Sequence, residues 1–145
     1  MKIYTFNTNG SAVSTGALMR KVVETYYRDM LPYASYSMLE VFDRIKKLPF
    51  RPDPVTTETL MRPSHTMNMR GTGGDCDDKA IALASWARLF SIPYRFVAIR
   101  RHGRKFLHHV AVELYTHSRW LFLDPTYSFN TIGRKRDEAE RLILP

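Results

Sequence analysis

Apolar side chains recur at helical spacing early in the chain, with Met19, Val22, Val23, Tyr26 and Met30 on one face. Thr15 is placed to cap this helix, and Pro32 to end it. A second stripe runs through Met38, Val41, Phe42, Ile45 and Leu48. It starts at Ser37-x-x-Glu40, a capping-box pattern, and Pro49 closes it. The stretch from Pro49 to Pro54 reads as a stiff, extended connector. Residues 55–74 have weak periodicity, contain Arg62-Pro63-Ser64 and end in Gly71-Thr72-Gly73-Gly74. They read as a long ordered loop, and a loop of that length in a small domain is usually functional.

The second half is more sharply patterned. Ala80, Ile81, Leu83, Ala84, Trp86, Ala87 and Phe90 cover most of the circumference of a helix from about Cys76 to Phe90. A helix apolar nearly all round is buried. Asp75, Asp77 and Asp78 gather at its N-terminus, where the macrodipole favours negative charge. Three strand-like runs follow, Tyr94 to Arg101, Lys105 to Tyr115 and Arg119 to Asp124. His102-Gly103 reads as a tight hairpin turn between the first two. An antiparallel meander is the economical topology. The tail holds one more expected helix, Arg136 to Leu144.

Composition narrows the class without changing these elements. A chain of 145 residues is one domain's worth, with 44% hydrophobic and 25% charged positions. One domain over 1–145 is expected, with a helical N-terminal segment over residues 1–54, a core of about 55–130 and a tail over 131–145. No apolar run approaches the roughly 18 residues of a membrane span. The opening residues Met1 to Asn7 lack the apolar segment of a signal peptide, so a cytoplasmic location is expected. A single cysteine makes no intramolecular disulfide. The net charge of +8 permits anionic partners but is spread along the chain. Neither a nucleic-acid motif nor a membrane partner is expected.

Cys76 begins the buried helix directly after the glycine-rich approach. A helix N-terminus lowers a cysteine pKa, and its free N–H groups can receive an oxyanion. Cys76 lies at the polar end of the helix, not in its apolar middle, which argues against a merely buried thiol. A cysteine nucleophile needs a base, and the base an orienter. His108 and His109 are the candidate bases. If the last two strands form a hairpin around Tyr115 to Ser118 with an even loop, His109 falls directly opposite Asp124 on one face. Val110 and Val112 then join Leu121 and Leu123 on the other. An odd loop or a bulge would exchange the two histidines. A metal site at Asp75-Cys76-Asp77-Asp78 is not expected, because structural zinc wants several soft ligands at fixed spacing. No phosphate loop is present, since no Lys-Ser/Thr pair follows the glycines.

These residues carry a resemblance. Gly74-Asp75-Cys76-Asp77-Asp78-Lys79-Ala80, the apolar helix and Ser91-Ile92-Pro93-Tyr94-Arg95 resemble the core of the transglutaminase-like superfamily. His109 to Tyr115 resembles its histidine strand, and Arg119 to Thr126 its aspartate strand. The resemblance covers about residues 71–127. It implies an α+β, papain-like/transglutaminase-like fold, with N-terminal helices and a central Cys-bearing helix packed on a small antiparallel sheet. It also implies a triad of Cys76 nucleophile, His109 base and acid, and Asp124 orienter. Ala111 departs from the aromatic residue the family often has two positions after the histidine. Related enzymes add a second oxyanion donor from upstream, for which Asn68, His65 and Trp86 are open, Trp86 reading better as core; Asn68 and Asp75 are the candidates for oxyanion or substrate contact.

The expected function is a thiol-dependent amide or peptide hydrolase, or an acyl transferase, working through a thioester without metal or organic cofactor. Small bacterial and phage members that resemble this chain are commonly viewed as peptidase-like, which favours hydrolysis. The substrate expected is a peptide or protein carrying an amide group, with glutamine one option. The competing reading is a catalytically idle structural or interaction module, such as a virion- or tail-associated phage protein with a protein partner. Such folds lose activity and persist, and fold alone never fixes function.

Overall fold

The computed structural model describes residues 2–7, 12–52, 57–68 and 73–145. Gly71 and Thr72 of the glycine-rich approach, and Asp53 and Pro54 of the connector, lie outside the described residues. Strand β1 (Lys2–Asn7) pairs antiparallel with β2 (Thr57–Met61) in a small two-stranded sheet. Between them run α1 (Ala12–Tyr26), a 3₁₀ segment (Tyr27–Tyr33) and α2 (Met38–Lys46). A short helix α3 (Pro63–Thr66) follows β2, and α4 (Cys76–Leu89) leads into β3 (Tyr94–Arg101), β4 (His109–Thr116), β5 (Arg119–Leu123) and β6 (Glu138–Ile143). The four last strands form one sheet in the order β5-β4-β3-β6, with every neighbouring pair antiparallel.

The apolar stripes predict the core well. Met19, Val22, Val23 and Met30 are fully buried, as are Val41 and Ile45 of α2. Helix α4 is buried from Ala80 through Ala87 and packs on β4, α1 and the 3₁₀ segment. Trp86 is core, its indole N–H donating to the Tyr33 carbonyl at 3.2 Å. One sheet face meets α4 through Phe96, Val110, Val112, Leu114 and Leu123. The opposite face holds the smaller cluster of Val97, Ile99, Ala111 and Phe122. Beside it the buried Glu113 accepts from Arg95 and Arg141. A buried carboxylate needs such partners, because the bare charge would be costly to desolvate.

Several elements differ from the sequence expectation. Helix α1 starts at Ala12, so Thr15 lies inside it and does not cap it. Pro32 does not end the helical run but sits within the 3₁₀ segment, whose φ suits proline. Ser37 and Glu40 do form the capping box on α2. The expected loop 55–74 contains β2 and α3; Pro63 starts α3, where its missing N–H costs nothing. Strand β4 begins at His109, not Lys105, so His102-Gly103 opens a longer connection and makes no tight hairpin. The tail folds as strand β6, not a helix, because it pairs with the open edge of β3. Glu140 there meets Arg100 across the strands at 3.1 Å.

The β4–β5 turn is His117–Ser118, both residues at positive φ as a two-residue hairpin requires. Val112 therefore pairs with Leu123, and Asp124 comes opposite Ala111 in the continued register, two residues from the expected partner. An even shift keeps every side chain on its face. His109 and Asp124 become diagonal neighbours on one face, within reach of long side chains.

Candidate active site

Asp75 is the N-cap of α4: its carboxylate accepts from the Asp78 N–H, while the Asp78 carboxylate accepts from the Asp75 N–H. Asp78 also accepts from the Met61 N–H at 2.9 Å and so ties β2 to the helix. This capping work gives Asp75 a structural task, and an anion is the wrong sign to hold an oxyanion. Asn68 lies just past α3 and is half-buried. The glycines do permit a close backbone approach, and the approaching backbone is this chain's own connector. Phe50 bridges Gly74, and the Gly74 N–H donates to the Pro49 carbonyl at 3.1 Å.

Cys76 is the first residue of α4 and is half-buried. Strand β5 pairs with β4 only from Val112 onward. Before that point the Val110 backbone N–H is close enough to the Cys76 sulfur to favour its charged form. The sulfur thus lies against the residue that follows His109. The thiol itself donates to Asp77 Oδ1 at 3.6 Å. Burial pushes the Cys76 thiol well up; Asp77, Asp75 and Asp124 push the same way, and only the Val110 N–H opposes them. The sequence expectation of a lowered pKa at a helix N-terminus is therefore reversed. Burial and three carboxylates push against the macrodipole, whose end carries about half a charge.

His109 and Asp124 are both buried, and His109 Nε2 stands 2.8 Å from Asp124 Oδ2. The other oxygen, Oδ1, accepts from the Thr126 N–H at 3.1 Å. Burial raises the Asp124 carboxyl pKa, but the His109 and Thr126 hydrogen bonds win and hold it below the usual value. His108, the alternative base, turns its Nδ1 to the Phe106 carbonyl at 3.2 Å.

Three further residues hold this arrangement. Asn130 donates to the Asp124 carbonyl at 3.0 Å. Tyr127 stacks on the His109 ring, with centroids 6.1 Å apart and planes 12° apart. Lys79, one turn past Cys76 and fully buried, donates to the Leu48 carbonyl at 2.7 Å and the Thr126 carbonyl at 2.9 Å. It joins the end of α2 to the segment after Asp124. A lysine within an otherwise apolar helix is the one sequence signal that points to such a role.

Lys79→Met is expected to lower stability by about 2 kcal/mol, since two buried carbonyls lose their donor while an ammonium desolvation cost is relieved. Burial pulls the Lys79 pKa from 10.5 down to about 8, against the pull of Asp124. Between those values the unfolded chain binds more protons than the folded one, so this group's contribution to stability rises with pH. Urea unfolding of both proteins at pH 8 and 10.5 should show the gap widening with pH. A constant gap would sink this account of Lys79.

A buried helix headed by Cys76 packs on an antiparallel sheet, with His109 opening β4 and Asp124 just past the end of β5, an α+β arrangement. The family model of the transglutaminase-like superfamily matches residues 19–125, and the chain belongs to that superfamily. Comparison with curated proteins finds no match. A solved structure of a proposed cysteine protease from Cytophaga hutchinsonii is similar at 19% identity and a TM-score of 0.47, over 77% of this chain. The present chain spans 39% of that protein's length. Among the described residues no helix is long and apolar enough to cross a membrane, and no cluster of metal-ligating side chains occurs.

Proposed function

We propose that this protein is a thiol-dependent amide hydrolase or acyl transferase with Cys76 as nucleophile, His109 as base and acid, and Asp124 as orienter. The observation that carries this reading is the buried 2.8 Å His109–Asp124 pair, whose histidine opens the strand against which the Cys76-headed helix packs. Asp124 occupies Nε2, which leaves Nδ1 as the nitrogen able to take the thiol proton. The resting nucleophile is a thiol, so proton transfer accompanies attack. As the Cys76 sulfur bonds to the amide carbon, its proton passes to His109. The carbonyl electrons move onto oxygen, and the Cys76 backbone N–H, free at the first helical position, faces that charge. Collapse expels the amine, which leaves with the proton from His109, and a thioester remains. Water then gives a carboxylic acid; an amine gives a new amide.

The burial of Cys76 and the carboxylates of Asp77 and Asp75 beside it, which push the thiol pKa up, favour the idle-module reading. A single experiment separates the two. The protein is mixed with p-nitrophenyl acetate at neutral pH and its peptides are weighed by mass spectrometry. An acetyl group on Cys76 that hydroxylamine removes, and that His109→Ala fails to acquire, is expected. Equal slow acetylation of both proteins would leave the idle module as the better reading. Adding a primary amine then tells the acceptors apart, by whether the acetyl group leaves as an amide or as acetate.

A further inference from the structure

The Tyr127 ring that stacks on His109 also stacks on Phe129, at 5.3 Å and 4°, and on Phe50, at 6.0 Å and 29°. Phe129 and Phe50 are 57% and 48% exposed, so this is a shelf open to solvent that begins at the candidate base. Arg136 lies over the Phe129 ring at 4.3 Å, and Arg101 over Tyr127 at 5.7 Å. Together these four residues and Asp137 line a cleft of about 290 Å³. Asp137 is engaged by His102 Nδ1 at 2.6 Å. Arg136 makes one long bond, at 3.4 Å, to the neutral Asn130 side chain. Among the described residues neither Arg101 nor Arg136 has a carboxylate within ion-pair distance. Arg101 shares the cleft with Asp137, whose carboxyl its charge helps hold low, whereas Arg136, over the exposed Phe129 ring, has no carboxylate partner among the described residues and lacks the anion its chemistry fits.

We propose that the Phe50–Tyr127–Phe129 shelf with Arg101 and Arg136 is a substrate subsite, and that it receives an acidic side chain of a peptide next to an apolar or aromatic one. This rests on the thiol acyl-transfer reading of the adjoining site. The rings take the apolar residue, and the guanidinium forks take the carboxylate in charge-assisted bonds. The chain's charge of +8 draws such a peptide in. A peptide fits better than a nucleic acid, because the shelf ends on His109, where an amide must be presented.

The test uses the full chain with Cys76→Ala, so that binding is read without turnover. Two probes are titrated by calorimetry: a short peptide with one phenylalanine among aspartates, and the same peptide with asparagines. The acidic peptide is expected to bind about tenfold more tightly at low salt, and the preference to shrink as salt is added. Replacing both arginines (Arg101→Gln with Arg136→Gln) should bring the two peptides within about twofold while leaving the weak binding of the neutral one intact. Equal binding of both peptides to the unmodified surface would overturn the proposal, as would a preference that survives the arginine replacements. Tighter binding of a single-stranded oligonucleotide of equal charge would overturn it too. The outcomes separate from the catalytic reading through the acetylation assay. Acetylation of Cys76 without the acidic preference removes only the subsite. An arginine-dependent preference without acetylation keeps the subsite and removes the enzyme.

Discussion

Asp124→Asn is expected to slow acylation of Cys76 by about 10³–10⁴-fold at neutral pH, on the logic of a base held in the wrong tautomer. The reason lies in the second oxygen of the carboxylate. Oδ1 accepts from the Thr126 N–H at 3.1 Å, so that position must remain an acceptor. The amide oxygen of the asparagine will take it. The NH₂ then occupies the place of Oδ2, 2.8 Å from His109 Nε2. An NH₂ donates, so Nε2 must become the acceptor and Nδ1 must carry the hydrogen. The nitrogen that should take the thiol proton is then blocked. Loss of the negative charge adds to this, since an imidazolium formed during attack has no counter-ion. The same substitution also removes a carboxylate that pushes the Cys76 thiol up, and this eases ionisation. Burial and Asp77 stand ahead of Asp124 among the causes, so that relief is the smaller effect. Stopped-flow release of p-nitrophenol from wild type and variant reads the rate directly. A loss under about tenfold would mean that Asp124 does not set the tautomer. The carboxyl of Asp124 sits below its usual pKa, so in wild type its contribution to stability is present above the ordinary value and fades only as pH falls through the lowered one.

The pairing that this prediction uses is legible in the sequence because parity is robust. His109 and Asp124 share a face for any even hairpin loop, so a register two residues from the expected one leaves them together. The buried helix is legible for a similar reason. Its apolar residues fill the circumference from Ala80 to Ala87, and no nearby pattern competes. Strand β6 is not legible. Glu138-Ala139-Glu140-Arg141 is as good a helix as a strand, and the open edge of β3 decides it. The Cys76 pKa is a question of opposing signs. The helix terminus, which lowers a thiol pKa, and the adjacent aspartates, which raise it, are both visible in the chain, but the burial that leads the upward push belongs to the folded state. Tyr127 and Asn130 carry no signal of their own, since their partners, His109 and the Asp124 carbonyl, are defined only once the strand ends are placed. Lys79 is half-legible. Its oddity in an apolar helix is plain, whereas its acceptors, Leu48 and Thr126, come from distant stretches of the chain.

Gly73→Ala is expected to destabilise the protein by about 3–4 kcal/mol, from a left-handed backbone and the loss of backbone hydrogen bonds. Gly73 has φ +69°, and a Cβ there would collide with the Pro49 carbonyl oxygen. Left-handed backbone costs an L-residue roughly 1–2 kcal/mol before any contact is counted. The contact is with backbone, so no side chain can swing aside. The connector must retreat, and with it go the Gly74 N–H bond to Pro49 and the Arg51 N–H bond to the Gly74 carbonyl, at 3.1 and 3.0 Å. Each is worth about 1 kcal/mol. Gly103 supplies the control: its φ is +82° and nothing lies within 4 Å of the added Cβ. Gly103→Ala should therefore show the conformational cost alone, about 1 kcal/mol. The urea midpoints of the two variants, measured side by side, isolate the cost of moving the connector. Equal midpoints would mean that Pro49 to Arg51 yields freely and does not brace the chain that enters the Cys76 helix. A wide separation would mean that the glycine ahead of Cys76 is kept for the fold, to seat a strut against the helix start, and not to clear a path for substrate.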